Sequence, residues 1–237
     1  MSNTQVVWFK RDLRIHDHLP LREAAARGSV LPLYIVEPEY WQGADTSGRQ
    51  WYVVRESLVE LQAALHELGL PLIVRQGDAV NVLDALRREQ KIAALWSHEE
   101  TGNAFTFARD KRVAGWAREQ AVVWTEIPQF GVMRRLKQRG GWVKHWEAHM
   151  NQSVQALPTT IEAVRHCVTE NLPSAQELGM KEDICPHRQR GGRKLALNEL
   201  YAKLGIPPAV LRRGTNSGVT SLTTPFSESE KAAMKKL

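Results

Sequence analysis

The first half of the chain alternates short apolar runs with longer amphipathic ones. Residues 6–9, 30–36, 70–75, 92–97 and 122–127 are nearly all apolar. Runs this short, without an in/out alternation, fit strands covered on both faces. Between them, residues 19–27, 51–68, 80–89 and 105–119 carry apolar side chains at helical spacing. The first of these stops at Gly28. The second is preceded by Ser47, a suitable N-cap, and stops at Gly69. On the last, the stripe reads Phe105, Ala108, Val113 and Trp116. Strand–helix alternation predicts a parallel sheet with helices on both faces. Right-handed crossovers make it a doubly wound, five-stranded α/β sheet. Ligands of such sheets bind outside the carboxyl ends of the strands, near the point where strand order reverses. Residues 10–14, 37–40, 76–78, 98–103 and 128–130 are therefore where chemistry is expected.

The pattern breaks after residue 127. Residues 133–150 mix basic residues with Trp142 and Trp146 and read as partly helical. Residues 152–173 have little periodicity and read as linker. Residues 191–204 return to a helical pattern, and 205–237 are polar and rich in Pro, Gly, Thr and Ser. This sets three units: an α/β domain at 1–130, a linker-like segment at 131–186, and a helix with an irregular tail lacking a packed core at 187–237.

Charge follows the same division. Residues 1–128 hold 15 Lys and Arg against 17 Asp and Glu, whereas residues 129–237 hold 17 against 9, which accounts for the whole net charge of +6. The excess sits at 134–139 (Arg134, Arg135, Lys137, Arg139) and 188–194 (Arg188, Arg190, Arg193, Lys194). Such a distribution suits either a solvated basic face or weak, non-specific contact with a polyanion such as DNA. No run approaches the roughly 18 apolar residues of a membrane helix, and the N-terminus shows no secretory pattern. Cys167 and Cys185 give neither a disulfide framework nor a zinc pattern. A cytoplasmic protein with free thiols is expected.

Several fingerprints are missing. There is no G-x-G-x-x-G after a strand, no phosphate-binding loop and no G-x-S-x-G elbow. His145 and His149 are four apart on a predicted helix but lack a third metal ligand and read as an exposed face. His16-Asp17-His18 reads as a turn before a helix, with Asp17 helping to cap it. Glu99 and Glu100, adjacent on a loop, diverge too much for paired acid/base work. Trp8, Trp51, Trp96, Trp116 and Trp124 fall in strands or on apolar helix faces and read as core.

The stretch after the first strand is the most informative. Trp8-Phe9-Lys10-Arg11-Asp12-Leu13-Arg14-Ile15-His16-Asp17-His18 places mixed charge at a strand's carboxyl end. Taken alone, it suits a turn in which Asp12 and Asp17 pair with Arg11 and Arg14. In order, it resembles the opening signature of the photolyase/cryptochrome family, W-F-R-x-D-L-R-x-x-D-N, with Lys10 in place of Arg and His18 in place of Asn. Residues 32–38 (PLYIVEP), 47–50 (SGRQ), 72–78 (LIVRQGD) and 108–110 (ARD) resemble the family's succeeding motifs, in order. The resemblance runs over about residues 5–150. Residues 191–200 are similar to the helix that opens the family's FAD domain, and 220–226 echo its T-S-x-L-S-P turn faintly.

The resemblance implies a five-stranded parallel domain, order 3-2-1-4-5, carrying an antenna chromophore of deazaflavin, flavin or folate type. In the family the antenna passes excitation energy to FAD in a separate helical domain. There reduced FAD splits pyrimidine dimers in DNA, or serves as a photosensor. Folate-binding members carry a His after the second strand; Gly43-Ala44-Asp45 offers none. Arg11, Asp12, Glu37, Arg49, Glu99 and Glu100 are the expected pocket residues, with no catalytic or metal-binding residue expected. FAD binding is expected to be absent from this chain, which reads as a truncated antenna portion inactive alone. The alternative is a free-standing chromophore- or nucleotide-binding module, or a cryptochrome-like photosensory fragment.

Overall fold

The computed structural model describes residues 4–204 except 135, 137, 182 and 184, and not the side chain of residue 204. The expectations for residues 205–237, including the echo at 220–226, lie outside the described residues. Five strands form the sheet: β1 (Thr4–Phe9), β2 (Val30–Val36), β3 (Ile73–Gln76), β4 (Ile92–His98) and β5 (Val123–Ile127). Every pairing is parallel and the order is β3-β2-β1-β4-β5. The strand order therefore reverses between β1 and β4, with β1 at the centre.

The helices are α1 (Leu19–Ala25), a single turn α2 (Pro38–Trp41), α3 (Gly48–Glu67), α4 (Ala79–Gln90), α5 (Ala104–Glu119), α6 (Trp142–Met150) and α7 (Arg193–Leu204). Alternate residues of β1 enter opposite cores. Val7 and Phe9 join Leu21, Trp51, Leu58, Leu61 and Leu65 of α1 and α3. Val6 and Trp8 join Leu83, Leu86, Val113 and Trp116 of α4 and α5. Each fully buried large apolar side chain contributes roughly 1.5–3 kcal/mol. Helix starts are capped by side chains: Ser47 and Gln50 form a capping box on α3, Asp78 caps α4 and Asn103 caps α5.

Two local readings are corrected. The cap of α1 is His18, whose ring accepts from Leu21 N–H. Asp17 instead sits at φ 51° and accepts from Gln155 N–H through its carboxylate. The buried face of α5 is Thr106, Arg109, Val113 and Trp116, while Ala108 points to solvent. An arginine holds the position that the apolar stripe assigned one residue earlier.

Residues 152–173, expected as linker, pack on the domain. Residues 162–164 bond to Val30, closing a parallel bridge at Ala163. Val74 N–H donates to Thr169 Oγ1 at 2.9 Å and Glu170 N–H to Val74 O at 2.9 Å. Leu157, Ile161 and Leu172 lie on the α1/α3 core. The Trp51 indole, 0% exposed, donates to Pro173 O at 3.1 Å and pins the strap to α3. Trp51→Ala is expected to lower the unfolding free energy by about 3–5 kcal/mol in urea denaturation. It should also open residues 152–173 to limited proteolysis before the sheet is cleaved. A strap as resistant as in the unmodified protein contradicts this packing.

Candidate functional site

Two polar assemblies occupy the carboxyl edge of the sheet. The first is centred on Asp12, in the turn that leaves β1. Its Oδ1 accepts Lys10 N–H at 2.8 Å and shapes the turn. Its Oδ2 contacts His18 Nε2 at 2.8 Å and His98 Nδ1 at 2.6 Å. All three side chains are buried. Because His18 Nδ1 accepts from Leu21 N–H, its Nε2 must carry the proton and donate to Asp12. One carboxylate thereby ties β1, the start of α1 and the end of β4 together at the switch point. These three residues lie close enough to suggest a metal site. The tautomer opposes it: a ligating Nε2 needs a free lone pair, with the other ring nitrogen as donor, and here Nδ1 is an acceptor.

Burial would raise the Asp12 pKa, but hydrogen bonds from His18 and His98 hold it well below the usual carboxylate range. Burial also pushes His18 down, opposed by Asp12, so the imidazole stays neutral around pH 7. A depressed carboxyl pKa contributes stability that is present above the unfolded value near 4 and is lost as pH falls through the folded value. Asp12→Asn is expected to cost about 3–5 kcal/mol at pH 7. The gap to the unmodified protein should narrow below about pH 4, as read by denaturant titration at pH 7 and pH 3. A gap independent of pH contradicts the role of the ionised carboxylate.

The second assembly surrounds a cavity of about 390 Å³ over the ends of β1 and β2. Trp8, Phe9, Tyr34, Tyr40, Trp41 and Val54 supply its apolar wall, and Lys10, Arg11, Glu37, Glu100 and Arg109 its charge. Arg109, brought in by the buried face of α5, is the hub. Its Nη1 donates to Glu37 Oε2 at 2.8 Å, its Nη2 to Glu100 Oε2, and its Nη2 and Nε to Asp110 at 2.9 and 3.0 Å. Burial would lower the Arg109 pKa; Glu37, Glu100 and Asp110 outweigh it and keep the guanidinium charged. Arg11 Nε pairs with Glu100 Oε1 at 2.9 Å across the mouth. Lys10 Nζ, its side chain 3% exposed, lies 5.1 Å from the Trp8 ring centre and 5.6 Å from that of Trp124. It pairs with Asp110 at 3.4 Å and Glu126 at 3.5 Å.

Glu37 is the exception within this network. Its Oε1 is buried and has no hydrogen-bond partner among the described residues. Burial, only partly offset by Arg109, pushes its pKa up to about 7. An unpaired buried acceptor beside a cavity of ligand-binding size is a mark of a binding site.

Of the residues expected from sequence, Arg11, Glu37 and Glu100 meet at this cavity. Asp12 lies outside it, in the histidine cluster. Glu99 turns to Arg134, 3.7 Å away, which diverges from Glu100 as expected. Arg49 does not reach the cavity: it faces Asp183 at 2.6 Å, because its place in the first turn of α3 points outward. Arg109, Lys10, His18 and His98 were missing from the expected site. An arginine spaced with Val113 and Trp116 on the buried side of a helix was the available signal for the first.

A sequence model of the family described as DNA photolyase matches residues 5–130. The chain belongs to the DNA photolyase family. Among curated relatives, it is 44% identical over 99 residues to the deoxyribodipyrimidine photo-lyase of Escherichia coli, a match covering 39% of this chain and 21% of that protein. It is 34% identical over 120 residues to cryptochrome DASH of Gloeobacter violaceus, covering 48% and 24%. A bacterial class III photolyase from Agrobacterium tumefaciens shares the fold with a TM-score of 0.68 at 22% identity, over 87% of this chain and 45% of that one. An archaeal photolyase from Sulfolobus tokodaii, solved with two FAD molecules, has a TM-score of 0.61 at 22% identity, over 85% and 48%. The chain thus corresponds to the N-terminal part of such proteins and spans less than half of their length. No helix among the described residues is long and apolar enough to cross a membrane.

Proposed function

We propose that this photolyase-family domain is a light-harvesting unit whose cavity holds a flat chromophore, with a ring N–H of the ligand meeting Glu37 Oε1. The carrying observation is that buried, unpaired oxygen. The chromophore would absorb light and pass the excitation to a flavin held elsewhere. The chain's own residues bind and orient it. Trp8, Tyr34, Tyr40 and Trp41 present an aromatic wall that excludes water from the ring. Arg109 holds Glu37 Oε2, leaving one carboxylate oxygen to accept. A flavin or deazaflavin ring presents a single N–H between two carbonyls and matches one free oxygen. The pterin edge of a folate presents two adjacent donors and matches a carboxylate with both oxygens free. The flavin or deazaflavin type is therefore favoured.

DNA contact belongs to the same reading, but the basic clusters contribute unequally. Arg134 is spent on Glu126, at 2.9 Å, and on Glu99 and Asp110. Arg188 is spent on Glu56, at 2.6 Å. Arg139 and Arg190 are exposed and carry the phosphate-facing charge. Dimer splitting in the resembled family belongs to its helical domain, to which 191–204 are similar only in the opening helix. This domain is accordingly the light-gathering part of such a protein.

Fluorescence titration of the purified chain with riboflavin, an 8-hydroxy-deazaflavin and methenyltetrahydrofolate tests this. The first two should bind at least about tenfold tighter than the folate, and Glu37→Ala should weaken them about tenfold. When protonated, Glu37 Oε1 becomes a donor and opposes the ring N–H. Affinity should therefore rise with pH through about 7 and level off above, and Glu37→Gln should flatten that rise. Equal binding by Glu37→Ala, or a pH-independent affinity, counts against the site. Light-dependent repair of a dimer-containing oligonucleotide, above a control with FAD and reductant alone, counts against the antenna reading.

A further inference from the structure

A second cavity, of about 640 Å³, lies between α3, the loop after β1 and α7 and shares only Leu13 with the lining of the aromatic cavity. Its walls are fixed. Gly191 N–H donates to Glu56 at 2.7 Å, Gly192 N–H to Ser57 Oγ at 3.0 Å and Lys194 N–H to Glu60 at 3.1 Å. A Cβ on Gly191 would collide with the Val53 carbonyl oxygen, so glycine lets α7 approach α3 this closely. The floor is apolar, from Leu13, Leu61, Leu157 and Leu197, and Arg14, Arg193 and Lys194 bring positive charge to the lining.

Those cations are poorly compensated. Arg14 spends its donors on two backbone carbonyls, His16 O at 3.1 Å and Asp17 O at 3.2 Å, and pairs with no carboxylate among the described residues. Arg193, at the first turn of α7, makes no hydrogen bond or close ion pair with the described residues; Glu60, Asp17 and Tyr201 act on it only at longer range. Burial and then the field of Arg14 push the Arg193 pKa down, and burial and Arg193 do the same to His16. Like charges held together around a cavity, with the Glu60 carboxylate oxygens bonded to Lys194 N–H of α7, call for an anion from outside.

We propose that this groove binds an organic phosphate monoester, its phosphate between Arg14 and Arg193 and its apolar body on the leucine floor. Two planar guanidinium groups match phosphate oxygens in geometry. Arg14 and Arg193, neither paired with a carboxylate among the described residues, bring two positive charges to the groove, and a group carrying about −1.5 to −2 charges matches that pair better than a monoanion.

Calorimetry of the full chain with phenyl phosphate, inorganic phosphate and benzoate tests this. Phenyl phosphate should bind one to one, at least about tenfold tighter than either of the others. Arg193→Gln and Arg14→Gln should each weaken it at least about tenfold, while Arg193→Gln, relieved of like-charge repulsion, should melt no lower than the unmodified protein. Leu197→Asp supplies an independent arm: it should bring phenyl phosphate down to the level of inorganic phosphate. Retained phenyl phosphate affinity in both arginine variants overturns the proposal. So does no binding to the unmodified chain, or a lower melting point for Arg193→Gln with no loss of phosphate-induced stabilisation.

Discussion

The carboxyl edge of this sheet depends on keeping one cation, Arg109, charged inside the protein. Its side chain is 6% exposed. Removing an ion from water costs several kcal/mol, and only close, hydrogen-bonded partners offset it. Those partners come from three places: Glu37 at the end of β2, Glu100 in the loop after β4, and Asp110 on α5 itself. Satisfying one guanidinium therefore fixes two strand ends and a helix relative to each other. Lys10 extends the same logic to β1 and β5 through Asp110 and Glu126. The cavity has its shape because these groups must converge, and it has an unpaired oxygen because Arg109 can engage only one side of Glu37.

The frame was legible because its signal is apolar and local. β1, β2 and β4 are almost wholly buried, and their sequences show it as unbroken runs. Capping at Ser47 and the stop at Gly69 were readable for the same reason, since each follows from one residue's chemistry. Failure began where burial and apolarity part company. On α5 the residues facing the sheet edge are Thr106 and Arg109, so a stripe drawn through apolar residues slides to Ala108, which is exposed.

The charged residues show a related limit. Asp12, Glu37 and Glu100 could be named from their place after strands, but not their partners, which lie 86, 72 and 9 positions away. Asp12 was expected in the chromophore pocket. It binds two histidines instead, and the neutral His18 imidazole avoids desolvating a second full charge against the carboxylate. Arg49 was grouped with the polar residues at strand ends, and that grouping does not say which way the first turn of a helix points. The strap at 152–173 was missed because it makes contacts with the domain rather than periodic structure of its own.

The two polar assemblies differ in what they leave undone, and that difference separates structure from site. Around Asp12 each oxygen of the carboxylate is engaged, and the tautomer of His18 is set by a backbone N–H. Such a cluster has no capacity left for a ligand; it holds the switch point shut between β1 and β4. Around Arg109 the cation is saturated, yet the carboxylate that best neutralises it keeps one oxygen idle, buried, at a pKa near 7. Folding alone would favour removing that oxygen or pairing it, since an unpaired buried acceptor costs about 1–3 kcal/mol. Its retention beside an aromatic cavity, on the same sheet edge as a fully satisfied cluster, is what a binding residue requires: the partner it lacks is supplied by the ligand.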